Sequence, residues 1–231
     1  IAIKQSASGK DIIVHSEYNN LGQQEKEYLP YVPTTSGSEG LFRTNALSNT
    51  NSFYNTAAYD NTLNPYSQKT IEPSPLGRIH EEAAPGNDWK KATTNVQGKR
   101  YSSGHTNKKE YETNATSDVK RYNVTTTYTN NTYEPTLVDN GHYTARSLYK
   151  TIIKDENWVD GQTYAKEHTI ETFKNKKGQL VLKRTYGTSV VGTTTQNGVA
   201  HDTYYVYDNF GNLSYVLPPK AEAHINKPTT N

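Results

Sequence analysis

The residues able to do chemistry are scattered along this chain rather than gathered. The seven histidines are His15, His80, His105, His142, His168, His201 and His224. None stands in the His-Glu-x-x-His spacing that puts two imidazoles on one helix face around zinc. His80-Glu81-Glu82 and Glu167-His168 set imidazole beside carboxylate. Neighbours on a strand point to opposite faces, so they do not converge on a cation. Ser103-Gly104-His105 reads as a loop fragment, not half of a nucleophilic triad, and no Gly-x-Ser-x-Gly elbow occurs. With no cysteine there is no thiolate metal site and no disulfide framework. Asp60, Asn61 and Asn64 offer the oxygen ligands that calcium takes, but they lack regular acidic spacing, and a turn is the plainer reading. Trp89 and Trp158 are platforms on which a sugar ring could stack. Trp89 follows Pro85-Gly86-Asn87-Asp88, so it is expected in a loop, either exposed or anchoring that loop to a sheet. Trp158, beside Asp160-Gly161, reads as a hairpin packing residue. The expectation is a chain that is not an enzyme, with no catalytic, cofactor-binding or metal residue and no cofactor.

Charge and hydropathy narrow the field further. The chain has 231 residues, with 25 Lys and Arg against 23 Asp and Glu. The two signs are interspersed and form no basic stripe of the kind that tracks phosphates, so no nucleic-acid partner is expected. Lys174, Lys176 and Lys177 flank a turn and read as a solvated loop. No apolar run approaches the roughly 20 residues a spanning helix needs, so no membrane span is expected. Only 32% of residues are hydrophobic, and Tyr supplies 19 of them against 4 Phe and 2 Trp. A mean hydropathy of -0.92 is low for a globule. Disorder, however, goes with few aromatic and β-branched residues, and Tyr, Thr and Val abound here. Tyr buries its ring while its hydroxyl stays wet, and Thr suits a half-exposed pleat. These choices imply a sheet with one dry face, one wet face and a thin core.

What must position these residues is a recurring turn. It occurs as Asn19-Asn20-Leu21-Gly22, Ser74-Pro75-Leu76-Gly77, Asn175-Lys176-Lys177-Gly178 and Asp208-Asn209-Phe210-Gly211. A short polar residue opens each copy and Gly closes it, as a type I turn asks. Tyr18 and Tyr207 stand just before two of the copies. After Gly comes a polar residue and then, in three copies, an apolar one: Arg78-Ile79, Gln179-Leu180 and Asn212-Leu213. The unit reads strand, tight turn, strand.

The tail Val206-Tyr207-Asp208-Asn209-Phe210-Gly211-Asn212-Leu213 resembles the YD repeat of bacterial Rhs/YD-repeat proteins. The stretch from Pro65 to Arg78, followed by Ala84-Pro85-Gly86-Asn87-Asp88-Trp89, is similar to the region that precedes the main repeat array in some Rhs proteins. So is Glu27-Tyr28-Leu29-Pro30-Tyr31. Together these segments sample the chain from about Ser16 to Pro219. Departures are Pro73 and Lys174 where the repeat has an aromatic residue (Phe173 lies one position earlier) and an irregular copy spacing. The resemblance implies a segment of the β-sheet shell that in this family spirals around a C-terminal toxin domain. It implies a bacterial protein, secreted or at the cell surface, whose partner is the remainder of its own polypeptide. The family's self-cleaving aspartyl motif has no counterpart, so no catalytic residue carries over. The turn framework would be Tyr18, Asn19, Gly22, Ser74, Gly77, Asn175, Gly178, Tyr207, Asp208 and Gly211. The alternative is a surface adhesin or carbohydrate-binding module that contacts glycans through Trp89.

The expected fold is all-β: a large curved antiparallel sheet built of hairpins, with long loops and one short helix. Residues 1–107 read as N-terminal hairpins with long loops, and 108–231 as an antiparallel meander ending in a YD-repeat-like hairpin. The two are expected to form one continuous sheet, and the start at Ile1 reads as a piece of a longer protein. Hairpins are expected at 11–29 and 69–84, a helix at 48–58 opened by Ser48 or Asn49, and a long loop at 85–107. Lys120, Tyr122, Val124, Thr126 and Tyr128 alternate with Arg121, Asn123, Thr125 and Thr127, the period of a strand. Two-residue turns are expected at Asn140-Gly141, Asp160-Gly161 and Asn197-Gly198, where Gly supplies positive φ. They would separate strands at 118–138, 143–157, 163–174, 179–194, 200–207 and 213–217. Lys183-Arg184 and Pro218-Pro219 would guard open sheet edges.

Overall fold

The computed structural model describes residues 2–3, 9–33, 40–191, 193–219 and 221, so His224 lies outside the described residues. The protein is mostly β, as the turns predict, with antiparallel strands and, among the described residues, one α-helix. It forms two compact units. Ile1–Lys108 and Asp155–Asp160 make the first, while Lys109–Lys154 and Gly161–Asn231 make the second.

In the first unit β1 (Ala2–Ile3) pairs with β2 (Ile12–Ile13). Next come β3 (Lys26–Tyr28), α1 (Ala46–Tyr54), β4 (Tyr66–Ile71) and β5 (Ile79–Ala83). Strands β3, β4 and β5 form an antiparallel run, and the start of β6 (Asn107–Thr113) pairs with β5 at Glu81↔Lys108 and Glu82↔Asn107. The hairpin expected at 69–84 is therefore β4–β5. The one expected at 11–29 keeps its turn but has little ladder: two isolated bridges, Ser16↔Glu27 and Ile13↔Tyr31, span it, and β3 pairs with β4 instead. The helix begins two residues before the expected start, and Ser48 and Asn49 lie inside it. Asn45 takes the N-cap position without a capping side-chain bond. Ala46, Thr50 and Phe53 fall at i, i+4 and i+7, one helix face. Ala46 and Phe53 pack against Ile13 and Tyr31.

In the second unit the strands are the rest of β6, β7 (Lys120–Thr129), β8 (Thr132–His142), β9 (Tyr149–Lys154), β10 (Thr169–Lys174), β11 (Leu180–Val191), β12 (Thr194–Tyr207) and β13 (Leu213–Leu217). The sheet order is β6-β9-β10-β11-β12-β13, and β7–β8 stands apart as a two-stranded arm. Cross-strand partners Phe173↔Leu182, Leu182↔Tyr204, Tyr204↔Leu217 and Val206↔Tyr215 lie on one face. That face is dry, because Val119, Tyr122 and Val124 of the arm segment pack onto it. Thr172↔Lys183, Lys183↔Thr203 and Tyr205↔Val216 occupy the opposite, wetter face. Tyr122 meets Tyr204 edge-on, with ring centres 5.2 Å apart.

Several expected strand limits are corrected. The single strand at 118–138 is two strands, reversed at Asn130-Asn131, whose φ values are 52° and 61°. A two-residue turn of this kind needs positive φ at both positions, and Asn tolerates it. Asn140-Gly141 is not a turn. It lies within β8, opposite a register shift between Lys120 and Tyr122, so the extra residue is absorbed as a bulge. Asn197-Gly198 likewise lies within β12, and the chain reverses between Val191 and Thr194. Gly161 does sit in a turn at φ 76°, but inside the long connection between β9 and β10. Lys183 and Arg184 are on β11, an interior strand, so they guard no edge. Pro218 and Pro219 do follow an end strand, β13.

Phe173 is fully buried at the centre of the dry face. Phe173→Ala is expected to cost about 3–5 kcal/mol, since the cavity cannot collapse between paired strands. Urea denaturation of the two proteins would measure the difference.

Candidate functional site

The four repeated turns share one set of hydrogen bonds. In each, the Gly N–H donates to the carbonyl of the first turn residue, at 2.9 Å for Gly22, 3.0 Å for Gly77, 2.9 Å for Gly178 and 3.1 Å for Gly211. All four glycines have positive φ, between 57° and 93°. Three copies add a clasp. Asn19 Oδ1 accepts from the N–H of Leu21 and of Gln23, both at 2.9 Å. Asn175 Oδ1 accepts from Lys177 and Gln179, both at 3.0 Å. Asp208 Oδ1 accepts from Phe210 at 2.9 Å and Asn212 at 2.8 Å. One side-chain oxygen thus ties down the third and fifth residues. The fifth residue closes the clasp: Asn175 Nδ2 donates to Gln179 Oε1 at 2.8 Å, and Asn212 Nδ2 donates to Asp208 Oδ2 at 3.0 Å.

The Ser74 copy solves the same problem differently. Ser74 Oγ accepts from Leu76 N–H at 3.2 Å and donates to Glu72 Oε1 at 2.7 Å. Arg78, the fifth residue, donates from Nε to both Glu72 oxygens at 3.0 Å. Those bonds, Arg78 first and Ser74 second, hold the Glu72 carboxyl down at about 2. Asp208 is also held below its ordinary value, chiefly by the Asn212 side chain and then by backbone N–H groups.

Neighbouring turns are linked. Gln179 Nε2, in the β10–β11 turn, donates to the Gly211 carbonyl in the β12–β13 turn at 3.3 Å. Of the two tyrosines that precede turns, Tyr18 is exposed and Tyr207 half-buried.

Trp89 is 45% exposed and meets His105 edge-on at 6.3 Å. It lines a hollow of about 220 Å³ with Glu82, Ala84, His105, Thr106, Asn107 and Glu156. The buried anchor of the long loop is Tyr101, which packs with Val96 and stands perpendicular to Trp158 at 6.1 Å. Trp158 therefore packs beneath that loop and not in a hairpin. Gly104 is required there, because a Cβ would lie 2.7 Å from the Lys90 carbonyl oxygen. His105 Nδ1 lies 3.1 Å from the Glu156 carbonyl, and Ser103 Oγ donates to the Thr94 carbonyl. Asp60 and Asn61 form a turn with φ near 50°, and their carbonyls accept from Asn87 Nδ2 at 3.4 and 3.3 Å. Among the described residues no three His, Asp or Glu side chains gather as a metal site. No described helix is long and apolar enough to cross a membrane.

Sequence reasoning missed two buried ionic clusters. In the second unit Glu171 is buried within the dry face. Lys166 Nζ reaches its Oε1 at 2.8 Å, and Lys150 Nζ its Oε2 at 3.2 Å. Burial opposes its ionisation, yet these two ammonium groups hold its carboxyl below the ordinary range. Arg184 forks onto Asp202 at 2.7 and 2.8 Å and reaches Asp118 Oδ1 at 2.8 Å. In the first unit Glu81 accepts from Ser102 and from Thr106 Oγ1, the latter at 2.8 Å. The buried Lys108 donates to the carbonyls of Gly104 and Thr106 at 2.7 and 2.9 Å. The period-two pattern places Glu171 on the face of Phe173, which is the only sequence signal for it.

Residues 1–103 match a domain of unknown function, DUF6443. No curated protein matches this chain.

The turn geometry separates two glycines. Gly211→Val combines left-handed backbone strain with a Cβ 3.3 Å from Gln179 Nε2, whereas Gly22→Val meets no atom within 4 Å. Strain of this kind costs about 1–3 kcal/mol, so both variants should melt earlier in thermal denaturation, Gly211→Val by the larger margin.

The depressed carboxyls also set a pH response. Each favours folding above its unfolded value, and that contribution is lost as pH falls through the folded one. The melting temperature should therefore fall on acidification from about pH 5 towards pH 2. Glu72→Gln should flatten the most acidic part of that profile, measured by circular dichroism.

Proposed function

We propose that this chain is a non-enzymatic structural segment of a β-sheet shell of the Rhs/YD-repeat kind. The shell is continued by the remainder of the same polypeptide and encloses or presents a C-terminal toxin or effector. In this reading the protein is bacterial and acts outside the cytoplasm, secreted or at the cell surface. The mechanism is steric: backbone pairing extends the wall, and the enclosed chain is held away from its target.

The observation that carries the reading is the turn. Four segments far apart in sequence fold into the same Gly-closed turn, and two neighbouring copies are joined through Gln179 and Gly211. A wall made of stacked hairpins needs this repeated, self-locking reversal. In the second unit, among the described residues, β13 is also an end strand with a flank along which a further strand can pair. The second reading, an adhesin or carbohydrate-binding module, is favoured by one feature, the exposed Trp89 beside its small hollow.

Co-purification of this chain with the separately expressed downstream remainder of its polypeptide tests the proposal. Stable one-to-one association is expected. A monomeric, cooperatively folded chain with no such association would count against the shell. A Trp89→Ala variant that keeps its fold but loses retention on a glycan array would then support the second reading.

A further inference from the structure

The β7–β8 arm crosses the sheet obliquely, and three contacts record its path. At its base, Asp118 Oδ1 accepts from Arg184 on β11. Four residues on, Tyr122 packs against Tyr204 on β12. Four further on is Thr126, whose cross-strand partner Pro135 accepts from Tyr215 Oη on β13 at 2.5 Å. The arm therefore passes over one strand for every four residues. The tip at Asn130-Asn131 is four residues beyond Thr126, about 13 Å at the rise of an extended chain. It overhangs the place of one strand that would pair with the outer edge of β13.

The overhanging part is built unlike the rest of the arm. Tyr122 and Val124 are buried, but Thr125 through Thr136 are exposed on both faces. Tyr128 and Tyr133, 61% and 72% exposed, pair with ring centres 4.8 Å apart. Glu134 is the one charged residue between Thr125 and Thr136, and Leu213-Ser214-Tyr215-Val216-Leu217 has none. An isolated two-stranded hairpin is marginal in water, and an uncharged edge beside an aromatic pair is the usual invitation to strand addition. A second copy of this chain fits poorly. Antiparallel pairing of two β13 edges would bring both arms over the same two strands.

The geometry points to a single occupant. It is the first strand of a further hairpin whose strands are uncharged and tyrosine-bearing, added antiparallel to β13 and capped on its inner face by Tyr128 and Tyr133. This rests on the proposal that the sheet is continued by more hairpins of the same kind.

A suitable probe is a backbone-cyclised peptide of residues 204–217, since Tyr204 and Leu217 are cross-strand partners. Amide hydrogen exchange on the full chain should show that the peptide protects both β13 and the arm tip. The double variant Tyr128→Ser/Tyr133→Ser should melt as the parent does but bind the peptide about tenfold more weakly. Protection of β13 with unchanged affinity in that variant overturns the capping role and leaves the shell reading standing. No protection of β13 at all overturns both. Protection of the arm tip that rises with protein concentration, without peptide, would assign the edge to a second copy instead.

Discussion

The side-chain oxygen that opens each turn sets the register on which the sheet depends. In a strand pair, a slip of one residue moves every inward side chain to the outside. The Asn175 clasp fixes where β10 ends and β11 begins, and so places Phe173 opposite Leu182. The Asp208 clasp does the same for Tyr204 and Leu217. Gly supplies the backbone conformation, but the carbonyl or carboxylate oxygen supplies the direction. This division of labour explains why the first and fourth positions recur while the two between them range over Asn, Leu, Pro, Lys and Phe.

A thin core has a second consequence. With 32% hydrophobic residues the protein cannot cover both faces of its sheets with aliphatic side chains. The second unit meets the deficit by burying Glu171 and half-burying Arg184 beside Phe173, with the Lys150 and Arg184 cations 5.4 and 5.7 Å from that ring. Buried ion pairs add little net stability against an apolar alternative, but losing one partner is costly because the other charge stays buried. Their effect is to forbid alternatives: Arg184 joins β11, β12 and Asp118, in the segment leading into β7, in one arrangement. A sheet rich in Thr and Tyr, whose side chains tolerate either face, gains its uniqueness from such fixed points.

What was legible in the sequence follows from the range of each signal. Turns are local, so the four Gly-closed copies and the β4–β5 hairpin could be read directly. Gly in an Asn-Gly pair marks positive φ, and that much holds at Gly141 and Gly198. Positive φ serves bulges as well as turns, however, and only the partner strand decides between them. Asn130-Asn131 escaped notice because no Gly marks it. The role of Trp158 was hidden for a different reason: it is contributed by Asp155–Asp160, a short segment that joins the first unit from far along the chain. The ionic clusters likewise depend on partners on other segments, up to 66 residues apart, which periodicity cannot see.

The distribution of charge on the second unit's sheet bears on the proposal that this sheet is extended. Interior strands carry the cations: Lys150 and Lys154 on β9, Lys174 on β10, and Lys183 and Arg184 on β11. The end strand β13 carries none. A protein that must stay apart from its neighbours does the reverse, placing lysine on the edge where it repels further pairing. Here the edge is left neutral, and prolines follow only after it. Since Pro lacks the N–H a ladder requires, Pro218 and Pro219 stop β13 from lengthening without blocking the flank along which another strand would add. Length is thus limited in one direction and the flank left open in the perpendicular one, the arrangement that the proposed wall of hairpins requires.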